Sequence, residues 1–142
     1  MTDTLEILLV DDNPADSDLV CEVLAQGKHS AHVSTAVDGE EAMAFLQHQG
    51  RFSGAAVPNL VMLDLNLPRK DGRAVLAEVR ASAALRQLPV VVFSTSQARH
   101  DIQRSYELGA NCYVTKPGNL QDFVAAIRSI EEFWLGFVRL PN

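Results

Sequence analysis

The chain has 142 residues, 47% of them hydrophobic, with 18 acidic against 12 basic side chains and a formal net charge of -6. That is enough to bury one ordinary core, so a single domain over residues 1–142 is expected. The negative balance argues against broad, nonspecific nucleic-acid binding, which takes a cationic surface.

The first residues, MTDTLE, lack a basic start and an apolar signal core, and no later run reaches membrane-spanning length. A cytoplasmic protein is therefore expected. Cys21 and Cys112 lie far apart in apolar surroundings without a CxxC spacing, which reads as buried free thiols in a reducing compartment.

From Leu5 to Val10 the chain is almost continuously apolar and then meets Asp11, Asp12, Asn13 and Pro14. This is a strand, a loop and a helix start: Asn13 suits the cap, and Pro14 suits the first turn, where a missing N–H costs nothing. Leu19, Val20, Val23 and Leu24 recur at helical spacing. A second strand, Ala31 to Val37, ends at Asp38 and Gly39, and Ala42, Met43 and Leu46 mark the second helix.

Residues Gly50 to Pro58 read as a loop. The third strand, Leu60 to Leu63, runs into Asp64, after which Asn66, Pro68 and Gly72 turn the chain into a third helix with Val75, Leu76 and Val79 inside. Pro89 introduces a fourth strand, VVVFS, ending at Ser94, Thr95 and Ser96. Ile102, Tyr106 and Leu108 belong to a fourth helix closed by Gly109. Cys112 to Thr115 is a short fifth strand leading to Lys116 and Pro117, and Asn119 opens a final helix whose inner stripe is Leu120, Phe123, Val124, Ile127 and Ile130.

Strand and helix thus alternate five times, and the strands are too apolar to face water on either side. The pattern predicts an α/β fold, a doubly wound parallel sheet covered by helices on both faces with right-handed crossovers. The carboxyl ends of parallel strands share one edge, where ligands bind. Asp11, Asp12, Asp64, Ser94 and Lys116 should meet there. Taken alone, Asp64 reads equally as a turn cap or as a chemical group.

Three carboxylates in one cleft repel one another and call for a cation, and hard oxygen ligands at an open site suit Mg²⁺. Asp12 and Asp64 are the expected direct ligands, with the backbone carbonyl near Asn66 as a third and Asp11 acting through water.

These motifs jointly resemble the receiver domain of two-component response regulators over nearly the whole chain: the acidic pair Asp11 and Asp12, Asp64 within DLNLPRKDG, Ser94, and Lys116 with Pro117. The resemblance implies a flavodoxin-like sheet of five strands in the order 2-1-3-4-5 with five helices. It implies that Asp64 is the phosphoacceptor for a sensor histidine kinase. Lys116 and Mg²⁺ offset charge on the transferring oxygens, Ser94 donates to the new phosphoryl group, and Tyr113 on the fifth strand follows as a switch. It also motivates a cis bond between Lys116 and Pro117.

Each residue also has an ordinary reading: Lys116 as a surface lysine, Ser94 as turn chemistry, Tyr113 as a half-buried strand aromatic. His29, His32, His48 and His100 show no ligand or base pattern and read as surface or helix-end residues. Two positions depart from the family: Thr95 stands where alanine is common, and Gly118 where a bulky residue is common.

Beyond the last helix, Phe133, Trp134, Leu135, Gly136, Phe137 and Val138 are apolar on too many sides for one buried face. The extension 131–142 either marks an interface or folds back over its own domain. It is similar to the single-domain regulators paired with bacterial phytochrome kinases, where a PheTrpLeu segment supports a homodimer, which makes Phe133, Trp134, Leu135 and Phe137 interface candidates. Two other functions compete. An aspartyl-nucleophile phosphohydrolase would want an acid two residues after Asp64, where Asn66 stands, and a non-switching scaffold would not need the acidic pair, Ser94 and Lys116.

Overall fold

In a computed structural model, which describes residues 4–141, the strands are β1 (Leu5–Val10), β2 (Ala31–Ala36), β3 (Leu60–Leu63), β4 (Val90–Ser94) and β5 (Cys112–Thr115). The helices are α1 (Pro14–Ala25), α2 (Gly39–Leu46), α3 (Gly72–Ala81), α4 (Arg99–Glu107) and α5 (Leu120–Glu131). All pairings are parallel, in the order β2-β1-β3-β4-β5. The doubly wound fold predicted from the sequence is the one found.

Successive strand residues point to opposite faces, so β1 feeds two cores. Leu8 and Val10 join Val61, Leu63, Val75, Leu76 and Val79 beneath α2 and α3. Ile7 and Leu9 join Val20, Val23, Met62, Phe93, Phe123 and Ile127 beneath α1 and α5. The central strands are buried on both faces, but β2 and β5 are edge strands and only partly covered. The expectation of strands shielded on both sides therefore holds for the middle of the sheet and not for its rims, where one flank has no neighbouring strand.

Capping fixes where four helices begin. The side chains of Asn13, Asp38, Asp71 and Asn119 accept N–H bonds from Asp16, Glu41, Arg73 with Ala74, and Asp122 respectively. Helix α4 has no such cap at Ala98. Its far end is closed by Gly109 at φ +103, a conformation that favours glycine.

Several boundaries differ from expectation. Strand β2 stops at Ala36, one residue short, leaving Val37 exposed. The loop after α2 contains a single helical turn, Gly50–Phe52, where Phe52 packs against Phe45 with ring centroids 5.3 Å apart. Leu120 is 67% exposed, because the first residue of α5 projects past the core. Cys21 and Cys112 are free but half-buried rather than fully buried. Of the histidines, His32 and His100 are exposed, while His29 and His48 are half-buried.

The segment after α5 widens into a π-helical turn, Glu132–Phe137. The wider turn rotates Trp134 inward, where it joins the core beneath α1 and α5. Trp134 is thus a core residue of its own domain rather than a free interface residue, a correction to the sequence expectation. Phe133 and Phe137 remain 54% and 74% exposed, and Leu135 is half-buried.

Candidate functional site at the carboxyl edge of the sheet

Asp11 follows β1 and Asp64 follows β3; because these strands pair in parallel, the two carboxylates emerge side by side. Lys116 follows β5 on the far side of β4, and its backbone N–H donates to the Ser94 carbonyl at 2.7 Å. The Lys116 ammonium reaches back across the edge. It donates to Asp11 Oδ2 at 2.7 Å, Asp64 Oδ2 at 3.0 Å and Asp16 Oδ2 at 3.0 Å.

Asp11 is 3% exposed, Asp64 9% and Lys116 6%, so the charges meet nearly out of water. Burial pushes the Asp11 carboxyl up, against the opposing pull of its bonds from Lys116 and from the Asn13 N–H at 2.9 Å. Burial alone would lower Lys116, but its bond to Asp11 and the charges of Asp64 and Asp11 outweigh this and raise it. The amine is accordingly a fixed cation at neutral pH.

Asp12 is exposed at the mouth of the site. Asp11, Asp12 and Asp64 each offer an oxygen, and these atoms all lie within 4.8 Å of one another. One ammonium does not neutralise this group, and the solvent-open side at Asp12 suits a hard divalent cation that keeps several waters. Asn66 is exposed, and its backbone N–H makes a long contact of 3.4 Å to Asp64 Oδ1.

The loop after β3 folds tightly over the site. The Gly72 N–H donates to the Leu65 carbonyl at 2.8 Å, and a side chain at position 72 would lie 2.2 Å from the Asp64 carbonyl oxygen. Only glycine permits that approach.

Chemically, the edge presents an oxygen nucleophile in Asp64, a permanent cation in Lys116 and a carboxylate set suited to a metal. That combination serves transfer of a strongly anionic group. A profile of the response regulator receiver domain family matches residues 7–128.

The chain belongs to that family.

This receiver domain is similar to the response regulator Rcp1 of Synechocystis sp. strain PCC 6803, at 50% identity over 135 residues, covering 95% of this chain and 92% of that protein. The Mn²⁺-bound crystal form of Rcp1 superimposes with a TM-score of 0.94 at 49% identity, covering 97% and 99% of the two chains. The phosphorylated cyanobacterial phytochrome response regulator RcpA superimposes at 0.95 with 47% identity, covering 99% and 100%.

In the receiver, Ser94 is fully buried at the end of β4, and its hydroxyl accepts a long bond from the Ser96 N–H at 3.4 Å. Tyr113 is half-buried, and its hydroxyl donates to the Ser96 carbonyl at 2.8 Å. Thr95 is exposed and lines a cleft with Lys116, Pro117, Gly118 and Asp16.

One expectation fails: no cis peptide bond occurs among the described residues, so Lys116–Pro117 is trans. Trans is the lower-energy isomer by about 0.5–1 kcal/mol before proline, and the adjoining Lys116 N–H bond to Ser94 is made with it.

The sequence reading missed Asp16, whose only signal is a third acid one helical turn after Asn13. It also missed Ser96, Asp101 and Arg73. Asp101 accepts from the Ser96 hydroxyl at 2.6 Å and from the Arg73 guanidinium, and these two bonds hold its carboxyl below the usual carboxylate range. The signal there was slight, a serine and an acid five residues apart around an uncapped helix start.

Proposed function

We propose that this receiver takes a phosphoryl group onto Asp64 from a phosphohistidine of a sensor histidine kinase and passes the change to a protein partner. The observation that carries the reading is the Lys116 ammonium shared between Asp11 and Asp64 inside the three-carboxylate cluster. An Asp64 oxygen attacks phosphorus, the bond from phosphorus to the histidine nitrogen breaks, and the electron pair leaves with that nitrogen. No separate base is needed, because the attacking carboxylate carries no proton.

Lys116 offsets charge on the transferring oxygens, and Asp11 holds Lys116 in place. Ser94 donates its hydroxyl proton to the new phosphoryl group, and Tyr113 answers the movement as the switch residue. We assign Mg²⁺ to the acidic cluster, with Asp12 and Asp64 as direct ligands, the Asn66 carbonyl as a third and Asp11 acting through water. When bound, the ion neutralises phosphoryl charge.

The likeness to phytochrome response regulators supports a phytochrome kinase as donor. The exposed rings of Phe133 and Phe137, with Leu135 beside them, support a homodimer through the tail. The two free cysteines support a reducing, cytoplasmic setting. Intact-mass measurement after incubation with Mg²⁺ and acetyl phosphate tests the central step: one added phosphoryl group is expected on the wild type and none on Asp64→Asn, and an unmodified wild type contradicts it.

A further inference from the structure

Helix α4 is weakly anchored by apolar packing. The one residue it buries fully is Ser105, whose hydroxyl donates to the Asp101 carbonyl at 2.8 Å. Its first residue follows Ala98, which offers no side-chain cap. Orphan N–H groups at a helix start need partners, and a helix with few apolar contacts takes its position from whatever polar bonds hold it.

Ser96 provides them from outside the helix. Its hydroxyl accepts the Ala98 N–H at 3.3 Å and donates to Asp101 Oδ2 at 2.6 Å. The other Asp101 oxygen accepts from the Arg73 guanidinium, which comes from the first turn of α3, just beyond the loop that follows Asp64. Asp101 is therefore tied both to the serine loop and to the helix that starts after the Asp64 loop.

The backbone of Ser96 faces the two switch residues. Its N–H donates to Ser94 Oγ and its carbonyl accepts from Tyr113 Oη. A displacement of this one residue, which carries the N–H of one peptide and the carbonyl of the next, changes both bonds together.

We infer that Ser96, pinned through Asp101 by Arg73, is a positioning residue that holds the Ser94 hydroxyl and the Tyr113 ring in a fixed relation. Its resting effect follows from geometry alone; its part in signalling rests on the reading of Asp64 as phosphoacceptor. The Ser96 N–H occupies a lone pair of Ser94 Oγ and leaves the hydroxyl proton free for a phosphoryl oxygen, so Ser94 can be oriented and donate at once. Losing the Asp101 anchor frees the loop and uncouples Tyr113 from Ser94.

The test uses the two tyrosines of the chain, Tyr106 and Tyr113, labelled as 3-fluorotyrosine and read by fluorine NMR, with the resonance that disappears in Tyr113→Phe assigned to Tyr113. Ser96→Ala and Asp101→Asn are expected to shift the Tyr113 resonance in untreated protein. Both should also diminish its response to Mg²⁺ and acetyl phosphate, while Asp64 still gains phosphoryl mass.

Ser96→Thr, which keeps the hydroxyl, should restore the wild-type signal, and Arg73→Gln should reproduce the loss from the α3 side. A Tyr113 resonance unmoved by Ser96→Ala and Asp101→Asn overturns the inference, as does a shift that Ser96→Thr fails to restore. A resonance that moves as expected in a wild-type background taking no phosphoryl mass supports the positioning role and overturns the phosphoacceptor reading instead.

Discussion

Lys116 Nζ donates to Asp64 Oδ2 at 3.0 Å although the two residues are 52 positions apart and leave the sheet from different strands. The same ammonium binds Asp11 even more closely, at 2.7 Å. Removing it leaves buried carboxylates facing one another without a cation. Lys116→Met should destabilise the metal-free protein by about 3 kcal/mol, the scale for stripping one partner from a buried ion pair. Urea unfolding with and without Mg²⁺ checks this: the deficit should shrink when Mg²⁺ is present, because the ion replaces the lost charge.

The pH dependence follows from Asp11, whose carboxyl burial raises above its ordinary value of 3.8. A folded-state pKa above the unfolded one means that the proton favours the folded protein. This contribution is fully present below the unfolded value and is lost as pH rises through the folded one. Metal binding needs the carboxylate and expels that proton, so affinity should fall as pH drops through the raised folded-state pKa of Asp11. Calorimetric titration with Mn²⁺ in buffers of different ionisation enthalpy should reveal proton release; a pH-independent affinity would count against the assignment.

Gly72 lies against the backbone that carries Asp64, 2.2 Å from the Asp64 carbonyl oxygen to an added Cβ. Backbone cannot yield as a flexible side chain does. Gly72→Ala should cost at least about 2 kcal/mol in thermal or denaturant unfolding, at the upper end of overpacking effects. Any folded fraction should modify Asp64 more slowly, since the strain falls on the loop that aims it.

The tail separates into two kinds of aromatic. Trp134 is 8% exposed within the core beneath α1 and α5, so Trp134→Ala should lower stability by about 3–5 kcal/mol. Phe133 and Phe137 face outward, and Phe133→Asp with Phe137→Asp should leave unfolding near wild type while reducing the solution mass to that of a monomer. A light-scattering mass unchanged by that pair removes the tail from the interface.

Local chemistry made most of the fold legible. Asn13 and Asn119 each announced a helix start and each caps one, while Asp38, read only as the end of a strand, caps another. Leu60 to Leu63 read as a buried strand because four apolar residues ran into turn residues, and all four are buried. The convergence of Asp11, Asp12, Asp64 and Lys116, with Ser94 on the neighbouring strand end, needed only the rule that parallel strands share a carboxyl edge.

What stayed hidden depended on side-chain reach and on available space. Asp16 meets Lys116 across 100 positions because both point into one cleft, which periodicity does not encode. The direction of Trp134 was set by a π-helical turn and by room in the core that holds Phe123 and Ile127, while the apolar run alone pointed to an exposed interface. The pinning of Ser96 by Asp101 and Arg73 joins two helices and a loop, and its one local signal, a serine and an acid five residues apart, says nothing of Arg73.

The most direct test of the account is to locate the modification. Wild-type protein incubated with Mg²⁺ and acetyl phosphate, then digested and mapped by mass, should carry its phosphoryl group on the peptide containing Asp64 and on no other. Lys116→Met should lower the initial rate of modification by at least about tenfold, equivalent to roughly 1.4 kcal/mol of lost transition-state stabilisation. A phosphoryl group found on a histidine or serine, or an unmodified Asp64 peptide with intact Asp11, Asp12 and Lys116, would contradict the assignment of Asp64 as phosphoacceptor.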